Sequence, residues 1–236
     1  MGSGAATQCH SRRGANGDAG AGRSAADVGS ILSTTLPNTA ADGYGDWTFW
    51  QRTLHRGIVC YAKQYQGGRW DASTLPATGA AILACNHLSV LDPLLLVASN
   101  QRLISFLVAQ EYYDQAWLRP LLDLTACIPV RRDRRDLRGL LQARRLLRAG
   151  HVLGIFPAGG IDREGMQKGL AWLVQASAAP VVPARILGLR QYSSDLRTWL
   201  WRQRPQLRYG VPLHFHPDAG AAEILGATRS AIATLA

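Results

Sequence analysis

The segment from Ala72 to Gln101 constrains the fold most, because thirty residues pass with one formal charge, that of Asp92. A carboxylate in so apolar a segment is costly to desolvate unless another group pairs with it. His87 is the nearest candidate, but five positions on a continuous helix are about 140° apart, so the two side chains would diverge. A turn between them brings them together, and Asp92-Pro93 supplies one if Asp92 is a helix N-cap and Pro93 the first helical residue.

A short apolar run, 80–85, precedes His87 and predicts a buried strand. His87 would then lie at the carboxyl end of a strand and Asp92 at the start of the next helix, where open α/β sheets place their active sites. A neutral imidazole can take a proton from a hydroxyl, while a carboxylate on its other nitrogen fixes the tautomer. The alternative is a helix cap beside a structural histidine, and the spacing alone favours that plainer interpretation.

Strand and helix patterns alternate through the rest of the chain. They predict strands at 80–85, 103–109, 126–130, 151–156 and 180–187, and helices at 93–99, 117–122, 136–148, 166–176 and from about 219 to the end. Residues 207–209 and 213–216 are predicted to pair around Gly210-Val211-Pro212. Strands separated by helices indicate an α/β fold in which a single domain has a mostly parallel mixed sheet covered by helices on both faces.

Two N-terminal segments differ in composition. Residues 1–44 are rich in Gly, Ala and Ser and lack apolar periodicity, so we expect a disordered segment or linker before a domain at 45–236. From Trp47 to Gln66 the pattern predicts an amphipathic helix. Its apolar positions at helical spacing are Trp47, Trp50, Leu54, Ile58, Tyr61 and Ala62, with His55 and most of the basic residues elsewhere. Such a helix suits a membrane interface, and packing on the domain is an equally good and compatible interpretation.

The chain is strongly basic, with 26 basic and 16 acidic residues and a formal net charge of +10. The arginines concentrate at 131–148 and 190–208, which indicates a polyanionic partner, either nucleic acid or an anionic membrane. Nucleic acid is not expected, because no nucleic-acid-binding module is recognisable. The sequence also carries no evident targeting or transmembrane segment, so we expect a peripheral protein on the cytoplasmic face of a membrane.

The four cysteines, Cys9, Cys60, Cys85 and Cys127, are scattered without a Cys-x-x-Cys pair. This spacing argues against a zinc site and for a reducing compartment. Cys85 is close to His87, which raises the possibility of a thiol nucleophile. A buried, inert thiol is the better interpretation, since no nearby cation in the sequence would lower its pKa.

Three further stretches have the composition of site loops. Residues 127–132 end in Arg131 and Arg132, whose guanidinium groups suit a phosphate, although a solvated basic face is the plainer interpretation. The run Phe156-Pro157-Ala158-Gly159-Gly160 follows a predicted strand and would expose backbone amides to a ligand. Residues 180–183, Pro-Val-Val-Pro, place two prolines around a short apolar strand.

Taken in order, these stretches resemble the glycerolipid acyltransferases, the family that contains the lysophosphatidic acid acyltransferases. That family has His-x4-Asp, a strand that ends in Arg, Phe-Pro-Glu-Gly and Val-Pro-φ-φ-Pro. The matching segments here are His87 with Asp92, 128–132, 156–159 and 180–183, and residues 165–172 also resemble the family's Lys-x-Gly helix. One departure is Ala158, which stands where the family has a glutamate assigned to handling the acceptor.

The resemblance implies transfer of a fatty acyl group from acyl-CoA or acyl carrier protein to the free hydroxyl of a lysophospholipid, most simply 1-acylglycerol-3-phosphate. It implies His87 as general base, Asp92 as its orienter, Arg132 with Arg131 at the acceptor phosphate, and Phe156, Pro157, Gly159 and Gly160 at the substrate, with no metal or cofactor. Two alternatives stay open. One is the same fold with another lysolipid acceptor, and the other is a catalytically inactive protein that binds a membrane surface.

Overall fold

The computed structural model describes residues 47–116, 118–131, 137–157, 163–190 and 200–236, with only the backbone given at 163–167. Its seven strands form one sheet in the order β1-β7-β6-β2-β5-β3-β4. In chain order they are β1 (Arg69–Trp70), β2 (Ala81–Cys85), β3 (Ile104–Ala109), β4 (Ile128–Val130), β5 (Val152–Ile155), β6 (Val181–Leu187) and β7 (Gln206–Tyr209). The predicted strands at 80–85, 103–109, 126–130, 151–156 and 180–187 are all present, with ends that differ by up to two residues.

The five strands from β6 to β4 run parallel, and β2 lies among them between β6 and β5. All five residues of β2 are buried, as a parallel strand covered on both faces requires. At one margin β7 pairs antiparallel with β6, and β1 pairs parallel with β7. The predicted mostly parallel mixed sheet in an α/β fold is therefore confirmed.

The helices are α1 (Phe49–Cys60), which continues as a π-helical turn (Tyr61–Tyr65), α2 (Asp92–Ala98), α3 (Gln110–Tyr113), α4 (Arg119–Leu124), α5 (Leu137–Arg148), α6 (Arg163–Ser177) and α7 (Ala221–Thr234). Side chains alternate across each strand, so the sheet has two apolar faces. Leu83 and Cys85 belong to the core on the side of α1 and α2, whereas Ile82 and Ala84 belong to the core beside α5, α6 and α7.

Helix α1 and its π-helical turn pack on the domain largely through the predicted apolar positions, of which Trp47, Ile58 and Ala62 are buried. Trp50, predicted on the apolar stripe, is 71% exposed, while Gln51 and His55 are buried beside Ile58. The His55 Nε2 contacts the carbonyl oxygens of Val97 and Asn100 at 3.1 and 2.9 Å, at the end of α2. The Gln51 amide donates to the carbonyl of Leu124 at the end of α4. Helix ends leave carbonyl groups without intrahelical partners, and these two polar side chains bind them.

The predicted hairpin around Gly210 is wrong. Residues 206–209 pair with β6, and Leu213 forms a separate bridge with Val181 near the other end of the same strand. Both segments therefore lie against β6 rather than against each other. This arrangement buries Leu207 and Tyr209 in the core, which a free-standing hairpin would not do.

Two short elements, β1 and α3, were not predicted from the sequence, because two-residue and four-residue segments carry no periodicity. Within the described ranges, no helix is long and apolar enough to cross a membrane. The predicted disordered segment 1–44 lies outside the described residues.

Candidate active site

His87 and Asp92 meet at the carboxyl edge of the parallel strands. His87 follows β2 by two residues, and its Nδ1 lies 2.7 Å from the Asp92 Oδ2. Because a carboxylate accepts hydrogen bonds, Nδ1 is the donor, which leaves Nε2 as the basic nitrogen of the neutral ring. The Asp92 side chain is fully buried, whereas the imidazole is 34% exposed. The buried carboxylate thus orients the ring, and the exposed part of the ring is accessible to a substrate.

Asp92 also shapes the loop that carries His87. Its Oδ2 accepts backbone N–H groups from Leu88 at 2.5 Å and from Ser89 at 2.9 Å. The helix begins one residue earlier than predicted, so Asp92 is its first residue and Leu91 the N-cap. The carboxylate therefore binds amides that precede the helix instead of capping the helix itself. One oxygen atom holds both the imidazole and the turn that positions it.

Asn86 fixes the end of β2 on the neighbouring strand. Its side chain donates to the carbonyl of Ile186 at 2.9 Å and accepts the amide of the same residue at 2.7 Å. This pair of bonds extends the β2–β6 ladder by one step through a side chain. The start of the His87 loop is therefore set relative to two strands.

An aromatic stack supports one face of the imidazole. The His87 ring lies on Phe156 with centroids 4.5 Å apart and an interplanar angle of 24°, and Phe156 lies on Phe106 at 5.8 Å. The Phe106 ring crosses the backbone of Gly154, where a Cβ would lie only 2.2 Å from its Cε1 atom. Glycine at that position leaves room for the ring. The stack limits rotation of His87 away from Asp92.

Cys85 is fully buried at the end of β2, and burial raises the pKa of its thiol well above the usual range. The negative charge of Asp92 acts in the same direction. The thiol therefore stays protonated near neutral pH, and this state excludes Cys85 as a thiolate nucleophile.

The structure places only some of the other predicted site residues. Phe156 is buried in the stack, and Pro157 is also buried next to it. Arg131 follows β4 at the same edge of the sheet, three strands from β2, and is exposed. At about 4.8 Å per strand, this separation is about 14 Å. Arg132, Gly159 and Gly160 lie outside the described residues.

Within the part of the chain that the structure describes, no three His, Cys, Asp or Glu side chains cluster as a metal site would require. The described groups instead suit proton transfer: an accessible ring nitrogen, a buried carboxylate behind it and a restricted ring. Pairs of this kind serve as a general base and its orienter.

Asn86, Phe106 and Gly154 contribute to the site without having been singled out from the sequence. A polar Asn at the end of an apolar strand was the available signal for Asn86. Phe106 and Gly154 carried none, since an aromatic residue and a glycine in buried strands are ordinary core residues, and their contact joins two strands.

Comparison with known proteins finds relatives in sequence and in fold. A sequence model of the family described as Acyltransferase matches residues 71–187, which include His87, Asp92 and Phe156. Over 165 residues the chain is 26% identical to the 1-acyl-sn-glycerol-3-phosphate acyltransferase of Bacillus subtilis (strain 168), covering 69% of this chain and 76% of that protein.

The fold is similar to the crystal structure of the 1-acyl-sn-glycerophosphate acyltransferase PlsC from Thermotoga maritima. The TM-score is 0.61 at 16% sequence identity, over 88% of this chain and 86% of that one. At this identity the likeness concerns the fold alone.

Proposed function

This chain is an O-acyltransferase of the glycerolipid acyltransferase family, similar to the lysophosphatidic acid acyltransferases, and on that premise we propose that it acylates 1-acylglycerol-3-phosphate to phosphatidic acid in phospholipid biosynthesis. The donor is a fatty acyl thioester. The observation that carries the proposal is the His87–Asp92 pair, with Nδ1 bonded to a buried carboxylate and the ring exposed.

The proposed reaction uses His87 twice. The acceptor hydroxyl oxygen attacks the thioester carbonyl carbon while His87 Nε2 takes the hydroxyl proton. The carbon–sulfur bond then breaks, and the imidazolium returns that proton to the sulfur, so the products are an ester and a free thiol. A positioned base of this kind contributes about 10²- to 10⁴-fold to the rate. Asp92 stabilises the imidazolium between the two steps.

Two segments of the chain are proposed to hold the substrates. Arg131 and Arg132 follow β4 and are proposed to bind the acceptor phosphate, for which the planar guanidinium is suited. Backbone amides around Gly159 and Gly160 are proposed to stabilise the oxyanion of the tetrahedral intermediate. Phe156, which stacks on His87, and Pro157 are proposed to form the wall of the site.

We also propose that the protein lies on an anionic membrane, on the cytoplasmic face. Phe49 and Trp50 are 73% and 71% exposed at the start of α1, and Leu200 and Trp201 are 75% and 59% exposed. The Tyr65 hydroxyl binds the carbonyl of Leu200, so the end of the α1 region contacts the second exposed pair. Large exposed apolar side chains close to arginines are typical of interfacial binding.

A lysolipid panel tests the proposed reaction. Purified protein is incubated with a labelled acyl thioester and lysolipids that differ in headgroup, and products are identified by mass spectrometry. We expect the fastest turnover with 1-acylglycerol-3-phosphate. Faster turnover of another lysolipid would make that lysolipid the acceptor. This alternative stays open because Ala158 stands where the family has a glutamate.

The same panel run on Ala158→Glu examines the inactive alternative. We expect the natural protein to be active and the substitution to shift acceptor preference or acceptor KM, with little change in donor KM. A natural protein inert toward every acceptor and activated by this one substitution would favour the inactive membrane-binding protein.

Sedimentation with liposomes tests the membrane proposal. Each basic residue near an anionic surface contributes about 1 kcal/mol, and salt weakens the attraction. We expect binding that rises with anionic lipid content and falls with salt. Binding that ignored both would contradict the proposal.

A further inference from the structure

A basic groove of about 620 Å³ lies at the margin of the sheet formed by β1 and β7. It is lined by Lys63, Gly67, Gly68, Arg69, Arg202, Arg204 and Gln206. The acyl transfer proposed above assigns it no role.

The sheet register places this groove on the same edge as His87. Cys85 of β2 pairs with Ala184 of β6, and Leu187, three residues further along β6, pairs with Gln206. Gln206 in turn pairs with Arg69 of β1. The groove and His87 therefore both lie at the carboxyl edge of the parallel strands. From β2 to β1 there are three strand spacings, or about 14 Å.

Buried contacts hold the groove in shape. Gln66 is fully buried, and its side-chain oxygen accepts the amide of Gln203 at 3.1 Å while its backbone carbonyl accepts the amide of Arg204 at 3.0 Å. Arg204 has a φ of +54°, a backbone conformation that residues with a Cβ rarely adopt. Gly67, at φ +69°, lies against the Arg202 guanidinium, which a Cβ would approach to 3.2 Å. A strained loop held by a buried side chain is typical of a binding site.

The groove concentrates positive charge. Lys63, Arg69, Arg202 and Arg204 are exposed to solvent, and the Lys63 ammonium lies 4.8 Å from the centre of the Trp70 ring. Among the residues that the structure describes, no carboxylate lies within ion-pair distance of these four side chains. Four cations in one concave site exceed what a single phosphate requires.

We propose that the basic groove binds the phosphates of a coenzyme A thioester, at its 3′-phosphoadenosine diphosphate end, while the thioester reaches His87. This inference rests on the proposed acyl transfer. About thirteen covalent bonds separate the thioester sulfur from the nearer phosphorus, and an extended chain of that length spans about 15 Å, by analogy with three bonds per residue. The reach matches the separation of the groove from β2. Arginine forks are suited to the three phosphate groups at that end.

The other phosphate-bearing ligands fit less well. An acyl carrier protein presents one phosphate on the surface of a protein, which gives little use for a concave site of this volume. The acceptor also carries one phosphate, and Arg131 stands at the opposite end of the same edge. Two phosphate-bearing substrates would thus approach His87 from opposite sides. A phospholipid headgroup shares the phosphate chemistry and is distinguished by experiment.

Calorimetric titration with coenzyme A, without lipid or detergent, tests binding directly. Arg202→Gln and Arg204→Gln should each weaken binding about tenfold, since a hydrogen bond to a charged group is of that strength. Arg229→Gln removes the same charge from an exposed position of α7 and should leave affinity unchanged. Coenzyme A affinity that is equal in all four proteins would overturn the proposal.

Kinetics with two donors separate this proposal from the acyl transfer itself. Acyl-CoA and acyl-pantetheine, both with short soluble chains, carry the same thioester, but acyl-pantetheine lacks the nucleotide phosphates. We expect the groove variants to raise acyl-CoA KM about tenfold and to leave turnover of acyl-pantetheine and the acceptor KM unchanged. Absence of turnover with both donors in the natural protein would contradict the proposed acyl transfer. The calorimetric titration would still show whether the groove binds coenzyme A.

Three results would assign the groove to another ligand and overturn the proposal. Variants that raise the acceptor KM alone would make it the acceptor site. Variants that impair acyl carrier protein donors and spare acyl-CoA would make it a protein-docking surface. Loss of binding to phosphatidic acid vesicles with unchanged coenzyme A affinity would make it a lipid headgroup site.

Discussion

The His87–Asp92 pair and the basic groove lie on one edge of the same sheet, yet their surroundings differ in burial and in charge. Asp92 is fully buried and accepts three hydrogen bonds, and the His87 ring is stacked on Phe156. The groove is open and lined by four exposed cations, Lys63, Arg69, Arg202 and Arg204. Of these two regions, only the surroundings of Asp92 are packed like a protein core.

This difference separates two tasks. A proton transfer depends on sub-ångström geometry, which packing and short hydrogen bonds can fix. Capture of a highly charged ligand depends on long-range attraction, which exposed cations provide and salt screens. We therefore expect substitutions at the His87–Asp92 pair to lower kcat and changes at the groove to raise KM.

The largest effect is expected for His87→Ala. Removal of the proposed base should lower kcat by about 10³- to 10⁴-fold, at the upper end of the range for a positioned base. Steady-state kinetics measure it, with circular dichroism as the control for folding. Near-normal turnover would show that the ring has no part in the proton transfer.

Asp92→Asn should lower kcat by about 10²- to 10³-fold. The amide keeps the size of the carboxylate but cannot stabilise the imidazolium, and its NH₂ group can select the wrong tautomer of His87. Donor and acceptor KM should change little, because Asp92 is buried away from both. A loss confined to KM would move Asp92 from orienting the ring to binding a substrate.

Gly154→Ala should destabilise the fold and lower kcat about tenfold. The new Cβ would lie 2.2 Å from the Phe106 ring, so the ring must move, and with it Phe156 beneath His87. Overpacking of this kind costs about 1–3 kcal/mol, which urea unfolding measures. Gly226→Ala on α7, where a Cβ meets nothing within 4 Å, is the matched control and should not lower stability. Equal behaviour of the two variants would contradict the role of the stack.

A rise in salt should act on the groove and spare the His87–Asp92 pair. Between about 0.05 and 0.5 M salt the Debye length shortens severalfold, so the KM for acyl-CoA should rise about three- to tenfold. With soluble substrates, kcat should change less than about twofold, because the His87–Asp92 contact is largely shielded from ions. A fall in kcat as large as the rise in KM would remove the distinction between the two regions.

The smallest effect is expected for Cys85→Ala. Burial raises the pKa of this thiol, so it should resist alkylation in the folded protein while the exposed Cys60 reacts. The substitution removes one sulfur atom from the core and should leave kcat within about threefold. Mass spectrometry of labelled peptides and steady-state kinetics check both statements. A loss as large as that of His87→Ala would restore the thiol mechanism.

Much of the fold and part of the site were accessible from the sequence. The apolar run before His87 marked β2, and the alternation of patterns marked the five parallel strands. The proximity of His87 and Asp92 followed from one charge in an apolar segment and from a Pro turn. These features are local, because they depend on residues within a few positions of each other. The predicted roles of Arg132, Gly159 and Gly160 lie outside the described residues and stay predictions.

The tertiary structure decided what joins distant segments. Gln51 and His55 lie outside the predicted apolar stripe of α1, yet both are buried because two helix ends offer them carbonyl groups. The pairing of β7 with β6 replaced a hairpin, since it buries more apolar surface than two isolated strands can. A local sequence pattern indicates that a segment is a strand, but it does not show with which strand the segment pairs.

The basic groove shows the same limit for function. Its cations come from residues 63–69 and 202–206, which are more than 130 residues apart in the chain and meet through the β1–β7 pairing. The sequence by itself determined a basic α/β protein with a His and an Asp able to pair after a strand. Only the folded sheet set the distance between that pair and the groove, because strand order and register, and not spacing in the sequence, place residues along an edge.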